Sequence, residues 1–114
     1  MLMREIVDKL SLEVVSGENT LDLQVTCAYV SDILSDVMSK AVKGSVWITN
    51  QTHENVVAIA FFKSLAGIIM PGGLQPHEET LQKAREKSIP IMLSKLSAFE
   101  IAGRIYELGI RGNK

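Results

Sequence analysis

The sequence predicts a single α/β domain, a layered and mainly parallel sheet of about four to five strands with flanking helices. Three observations carry this. Short apolar runs at 46–49, 66–70 and 89–93 alternate with helical patterns at 52–64, 76–87 and onward from Ser97. Each run is bounded by Gly, Asn, Pro or Ser, and three strand–helix units with short connections give parallel strands joined by right-handed crossovers. The chain has 114 residues, the size of one domain, and shows neither a linker nor an internal repeat. One domain over 1–114, with its core at about 10–108, is the expectation.

The elements follow in order. Met3, Ile6, Val7 and Leu10 recur at helical spacing and predict a short opening helix. Residues 12–15 read as a strand closed by the turn Ser16-Gly17-Glu18-Asn19. Leu21, Leu23, Val25, Cys27 and Tyr29 alternate with polar residues, which predicts a long strand with one buried face. Ser31 or Asp32 then caps a helix at 32–40. The helix at 52–64 is apolar on every side through 56–62, so every side must be covered. Pro71-Gly72-Gly73 breaks the next strand, and Pro76 suits the first position of the helix after it. Glu79–Lys83, Glu100–Arg104 and Glu107–Arg111 are spaced as i,i+4 ion pairs. Ser97-Ala98-Phe99-Glu100 is a capping box, and Ala98, Ile101, Ala102, Ile105 and Leu108 share one face of the last helix. The tail from Gly109 is expected to fray.

Composition narrows the function. Hydrophobic residues make up 46% of the chain, and 12 basic against 13 acidic residues alternate along it for a net charge of −1. With no basic stripe and six aromatics (one Trp, two Tyr, three Phe), nucleic acid is not an expected partner. The lone Cys27 lies in an apolar stretch and reads as a small buried hydrophobe. The longest apolar run, 56–62, is far below the ~20 residues of a membrane span, and the N-terminus is charged from Arg4. A cytoplasmic location, without membrane association, is expected.

In open parallel sheets, ligands bind beyond the carboxyl ends of the strands. Here those ends are followed by Ser31-Asp32, Thr49-Asn50, Gly72-Gly73 and the segment from Ser94 to Ser97. If the four strands run parallel, these residues share one edge and offer small polar side chains and free backbone N–H groups. They form the candidate ligand-binding rim. The Gly72-Gly73 turn has two readings, a structural tight turn or a ligand cradle at a helix N-terminus. It lacks the Gly-Lys-Ser/Thr ending of a phosphate-gripping loop. No nucleophile–base pair stands out, so no catalytic residue is assigned and no enzyme is expected. His53 and His77 read singly as surface residues, no ligand spacing suggests a metal site, and no cofactor is implied. The apolar stripe Val56, Val57, Ile59, Phe61 and Phe62 is either core or a homodimer interface.

The chain also resembles a known family over nearly its whole length. The landmarks are Val14-Val15-Ser16-Gly17, the segment from Val25 to Asp32, the strand end Ile48-Thr49-Asn50, and above all the stretch from Ala66 to Pro76. The resemblance continues through Ile89-Pro90-Ile91 and the helix capped at Ser97. Together these are similar to the DRTGG domain, which occurs beside CBS domains in regulatory pyrophosphatases and in some phosphotransacetylases. That domain is also similar to the N-terminal domain of HPr kinase/phosphorylase. The resemblance implies a non-catalytic regulatory or ligand-sensing module, frequent dimerisation and, in CBS-linked members, adenine-nucleotide control. The alternative is a protein-interaction adaptor, docked on a partner enzyme, with no small ligand. Two departures stand out. The family's Thr-Gly-Gly is here Pro71-Gly72-Gly73, and its Asp-Arg pair is replaced by Asn50-Gln51-Thr52-His53. Without that arginine, a bidentate phosphate donor is lost.

Overall fold

The computed structural model describes residues 1–113. The chain runs through α1 (Met3–Leu10), β1 (Glu13–Ser16), a 3-10 turn (Glu18–Thr20), β2 (Cys27–Val30), α2 (Leu34–Lys40) and β3 (Ser45–Ile48). It continues through α3 (Asn55–Phe62), β4 (Gly67–Met70), α4 (Glu78–Lys87), β5 (Ile91–Leu93) and α5 (Ala98–Glu107). The strands form one five-stranded sheet in the order β1-β5-β4-β3-β2. β2 to β5 are mutually parallel and β1 joins β5 antiparallel, so the sheet is mixed but mainly parallel.

Strand periodicity divides the interior into two halves. Trp47, Ile68, Met70, Ile91 and Leu93 point to one face, where Val37 of α2, Val56, Val57, Ile59 and Ala60 of α3, and Ala84 of α4 cover them. Val46, Ile48, Ile69 and Met92 point to the other, under Met3, Ile6 and Leu10 of α1 and Ile101 and Ile105 of α5. Each fully buried apolar side chain contributes about 1.5–3 kcal/mol, so neither layer is dispensable. α2, α3 and α4 all lie on the same face between successive neighbouring strands, as crossovers of a single hand require. Tyr29 ties α2 to β2 by donating its hydroxyl to Asp36 at 2.8 Å. That bond, foremost, holds the Asp36 carboxyl below its ordinary value and raises the Tyr29 phenol.

The structure departs from the sequence pattern in several places. The long strand at 21–29 is a strand only from Cys27. Leu21 and Asp22 lie in a turn, and residues 23–25 run against the N-terminus instead: Met3 N–H donates to Leu23 O, Arg4 N–H to Leu21 O, and Val25 N–H to Met1 O. Alternation reports an extended chain with one covered face, and here the partner is a short terminal segment that leaves Leu23 exposed. The tail does not fray through Asn113. Ile110 is buried, Ala28 N–H donates to Arg111 O, and Asn113 Nδ2 donates to Lys40 O; Lys114 lies outside the described residues. α4 begins at Glu78 with His77 as N-cap, two residues after the position expected for Pro76. Among the described residues the i,i+4 ion pair is Asp36–Lys40; Arg111 stacks on Tyr106 at 3.8 Å.

β1 joins the sheet through a bulge between Val14 and Ser16. The buried Ser16 hydroxyl fills the irregularity, donating to Ile89 O at 2.8 Å and accepting from Ile91 N–H at 3.1 Å. The chain then turns at Gly17, with φ of 71°, where a Cβ would stand 2.5 Å from the Pro90 nitrogen. Left-handed backbone and backbone crowding both demand glycine here. Gly17→Ala is therefore expected to destabilise the fold by more than about 2 kcal/mol, read as a lowered denaturation midpoint with an unchanged m-value. A midpoint within error of the parent would contradict this.

Candidate functional site

Because β2 to β5 run parallel, the residues expected at the rim do lie at one edge of the sheet. Their hydrogen bonds sort them into two groups.

The first group centres on Asp32, at the end of β2. Its Oδ1 accepts from Thr49 Oγ1 at 2.9 Å and from Asn50 N–H at 2.7 Å, and its Oδ2 accepts from Asn50 Nδ2 at 2.9 Å. Gln51 Nε2 donates to Asp32 O at 3.0 Å. Asp32 thus bolts the end of β2 to the loop after β3. It does not cap α2, whose N-cap is Ile33 and carries no side-chain cap. Ser31 Oγ accepts from Ile33 N–H, and Ser31 O accepts from the buried Trp47 Nε1–H at 2.9 Å. Partial burial acts to raise the Asp32 carboxyl, but the bonds from the Asn50 backbone, the Asn50 amide and Thr49 outweigh it and hold the group below its ordinary value. A carboxylate so held is a positioning group and a poor base.

The second group joins the loops after β4 and β5. Gly72 and Gly73, with φ of 69° and 77°, form the expected tight turn. No atom lies within 4 Å of a Cβ built at either position, so it is the backbone angle that selects glycine. Their N–H groups are not free. Gly72 N–H donates to Leu96 O at 2.8 Å and Gly73 N–H to Ser94 O at 2.9 Å. The turn latches onto the next loop, which corrects the expectation of unclaimed donors at this position. Ser94 Oγ accepts from Leu96 N–H, and Ser97 Oγ caps α5 by accepting from Glu100 N–H at 3.2 Å. Gly73 and Ser94 also line a cavity of about 420 Å³ whose charged residues are Glu13 and Lys95. Among the described residues no side-chain hydrogen bond links this group to the Asp32 group.

Sequence reasoning missed one pairing. His53 and His77 stand in the loops after β3 and β4 with ring centroids 4.4 Å apart and planes at 62°. Residues so far apart in sequence give no local spacing, and only the parallel topology reveals them as neighbours. The apolar stripe is also divided. Val56, Val57 and Ile59 pack into the core, whereas Phe61 is 54% and Phe62 73% exposed. These two border a second cavity, of about 600 Å³, with Met38, Lys83 and Lys87.

Asp32→Ala is expected to cost about 1 kcal/mol near neutral pH, the low end for charge-assisted bonds because the site is wet. Since the folded carboxyl lies below its unfolded value of about 3.9, this contribution is complete above that value and disappears as pH falls through the folded one. Urea denaturation of parent and variant across acidic pH checks this. A stability gap that widened on acidification would refute it.

Comparison with known proteins places the fold. No curated protein matches the chain. Among solved structures, it is similar to the CBS and DRTGG domains of the regulatory region of Clostridium perfringens pyrophosphatase, crystallised with the activator diadenosine tetraphosphate. The TM-score is 0.71 at 17% identity, over 90% of this chain and 44% of that one. The chain thus spans less than half the length of that neighbour. The family model of the DRTGG domain matches residues 5–108, and the chain belongs to the DRTGG domain family.

Proposed function

We propose that this domain is a non-catalytic regulatory module, cytoplasmic, that senses a small polar ligand at the carboxyl edge of its sheet. The observation that carries the reading is the cavity of about 420 Å³ beside the Gly72-Gly73 latch. It sits where parallel sheets place ligands, and its volume falls within the range of small-molecule sites. Its walls are the segment from Leu10 to Glu13 and two loops latched to each other by backbone hydrogen bonds, so a ligand bridging them would stiffen all three. The similar pyrophosphatase region, whose complex contains a dinucleotide activator, supports an adenine nucleotide as the first ligand to test. Lys95 is the cation available there for a phosphate, and Asn50 and Gln51, which stand where the family has its Asp-Arg pair, donate inward to Asp32. A neutral or singly charged metabolite fits the cavity's balance of Glu13 and Lys95 better than a polyphosphate.

A second reading, a protein-interaction module, has its own observation in Phe61 and Phe62. These rings stand together at the end of α3 beside Met38, with Lys87 at 4.7 Å over the Phe61 ring. In this reading the partner is a second copy of the chain, with an unrelated enzyme as the alternative.

Each reading has its own experiment. Thermal shifts with adenine nucleotides, diadenosine polyphosphates and neutral metabolites at millimolar concentration are expected to show stabilisation by one class, about 2.7 kcal/mol at a hundredfold excess over Kd. Lys95→Ala is expected to weaken any anionic ligand; no stabilisation by any class would count against sensing. For the interface, Phe62→Asp is expected to convert a dimer to monomer in sedimentation equilibrium, with the melting temperature little changed because the ring is exposed. A parent that stays monomeric at high concentration would exclude the dimer.

A further inference from the structure

We propose that His53 and His77 form an open two-histidine site for a borderline divalent transition ion, such as Zn²⁺ or Ni²⁺. The separation is close to the short end of what a chelate needs. With metal–nitrogen bonds of about 2.0–2.1 Å, each ring centre lies about 3.2 Å from the ion, and ligand angles of about 90–110° place the two centres about 4.5–5.2 Å apart. The observed centroids are 4.4 Å apart, with the planes at 62° and so not stacked face to face. The terminal torsion of histidine is broad, so the rings can turn about it to aim one nitrogen each at a shared ion.

The backbone under both rings is fixed in advance. Thr52 O accepts from His77 N–H at 3.2 Å and from Thr80 Oγ1 at 2.7 Å. Thr80 is fully buried, so the clamp is anchored in the interior rather than on the surface. His53 O in turn accepts from Val56 N–H at the start of α3. Two loops that could have drifted apart are held at the spacing a chelate needs, which lowers the ordering cost of binding.

The two loops themselves carry acidic rather than basic residues, while Lys83 and Lys87 border the same cavity as Glu54. Residues 44–62 and 71–82 contain no Lys or Arg and carry Glu54, Glu78 and Glu79. Glu78 and Glu79 occupy the first turn of α4 and offset the positive end of that helix. Both histidines are exposed, and among the described residues no cluster of three or more His, Cys, Asp or Glu forms, so water completes the coordination. Cys27 does not compete as a ligand, since its sulfur is buried 3.0 Å from Ser45 Oγ. Imidazole suits such ions, and hard cations prefer oxygen, so Mg²⁺ and Ca²⁺ should not bind here.

Calorimetric titration of the full chain with zinc or nickel chloride, in a non-coordinating buffer at about pH 7.5, tests this. Saturable binding of one ion per chain is expected. H53A and H77A should each lower the affinity by about tenfold or more. Both side chains are exposed, and circular-dichroism melts without metal confirm that the variants fold. In NMR, the ring protons of both histidines should shift together. Absence of saturable binding, affinity unchanged in either variant, or movement of one histidine alone would overturn the proposal.

Discussion

Every residue of β3, β4 and β5 is buried, because a parallel ladder of central strands has apolar side chains on both faces and no face to offer to water. In a chain of 114 residues this requirement allocates nearly all the helical material. α2, α3 and α4 cover one side, α1 and α5 the other. It also explains why α3 is so apolar. Its inner residues meet Trp47 and Ile68, and the helix has α2 and α4 on its flanks, so only Ala58 and its two ends reach solvent. The same ladder gathers the carboxyl-end loops of β2 to β5 at one edge, since these strands run one way.

That edge is more self-contained than its composition suggests. Asp32 takes up the donors of Thr49 and Asn50, and the glycine turn gives its N–H groups to the loop after β5. Family landmarks therefore act here as fasteners between neighbouring loops. What remains open lies beside them, in the cavity next to Gly73 and in the exposed imidazoles of His53 and His77.

The strand–helix order from Ser45 onward was legible because short apolar runs, long helical patterns and strong punctuation all agreed there. The first 30 residues were less so. Two extended segments pair with each other outside the main sheet, and alternation cannot say whether a partner is a full strand or a few terminal residues. Helix ends were blurred for a different reason: Ser11, Ser64 and Ser88 adopt the left-handed conformation usually marked by glycine, with φ of 53°, 55° and 55°. At the site, the rim was visible as a set of loops, but its wiring was not. Hydrogen bonds from Asp32 to Asn50, or from Gly73 to Ser94, depend on which strands are adjacent, and so does the meeting of the two histidines.

The docking of the C-terminal segment on β2 bears on how copies of the domain can meet. With Arg111 O accepting from Ala28 N–H, the outer margin of β2 is occupied by the chain itself. At the opposite margin, the bulge in β1 interrupts the regular row of donors and acceptors that an incoming strand would need. Edge-to-edge growth of the sheet is disfavoured at both margins. A strand added at either margin would therefore meet an occupied or irregular edge, a safeguard against aggregation.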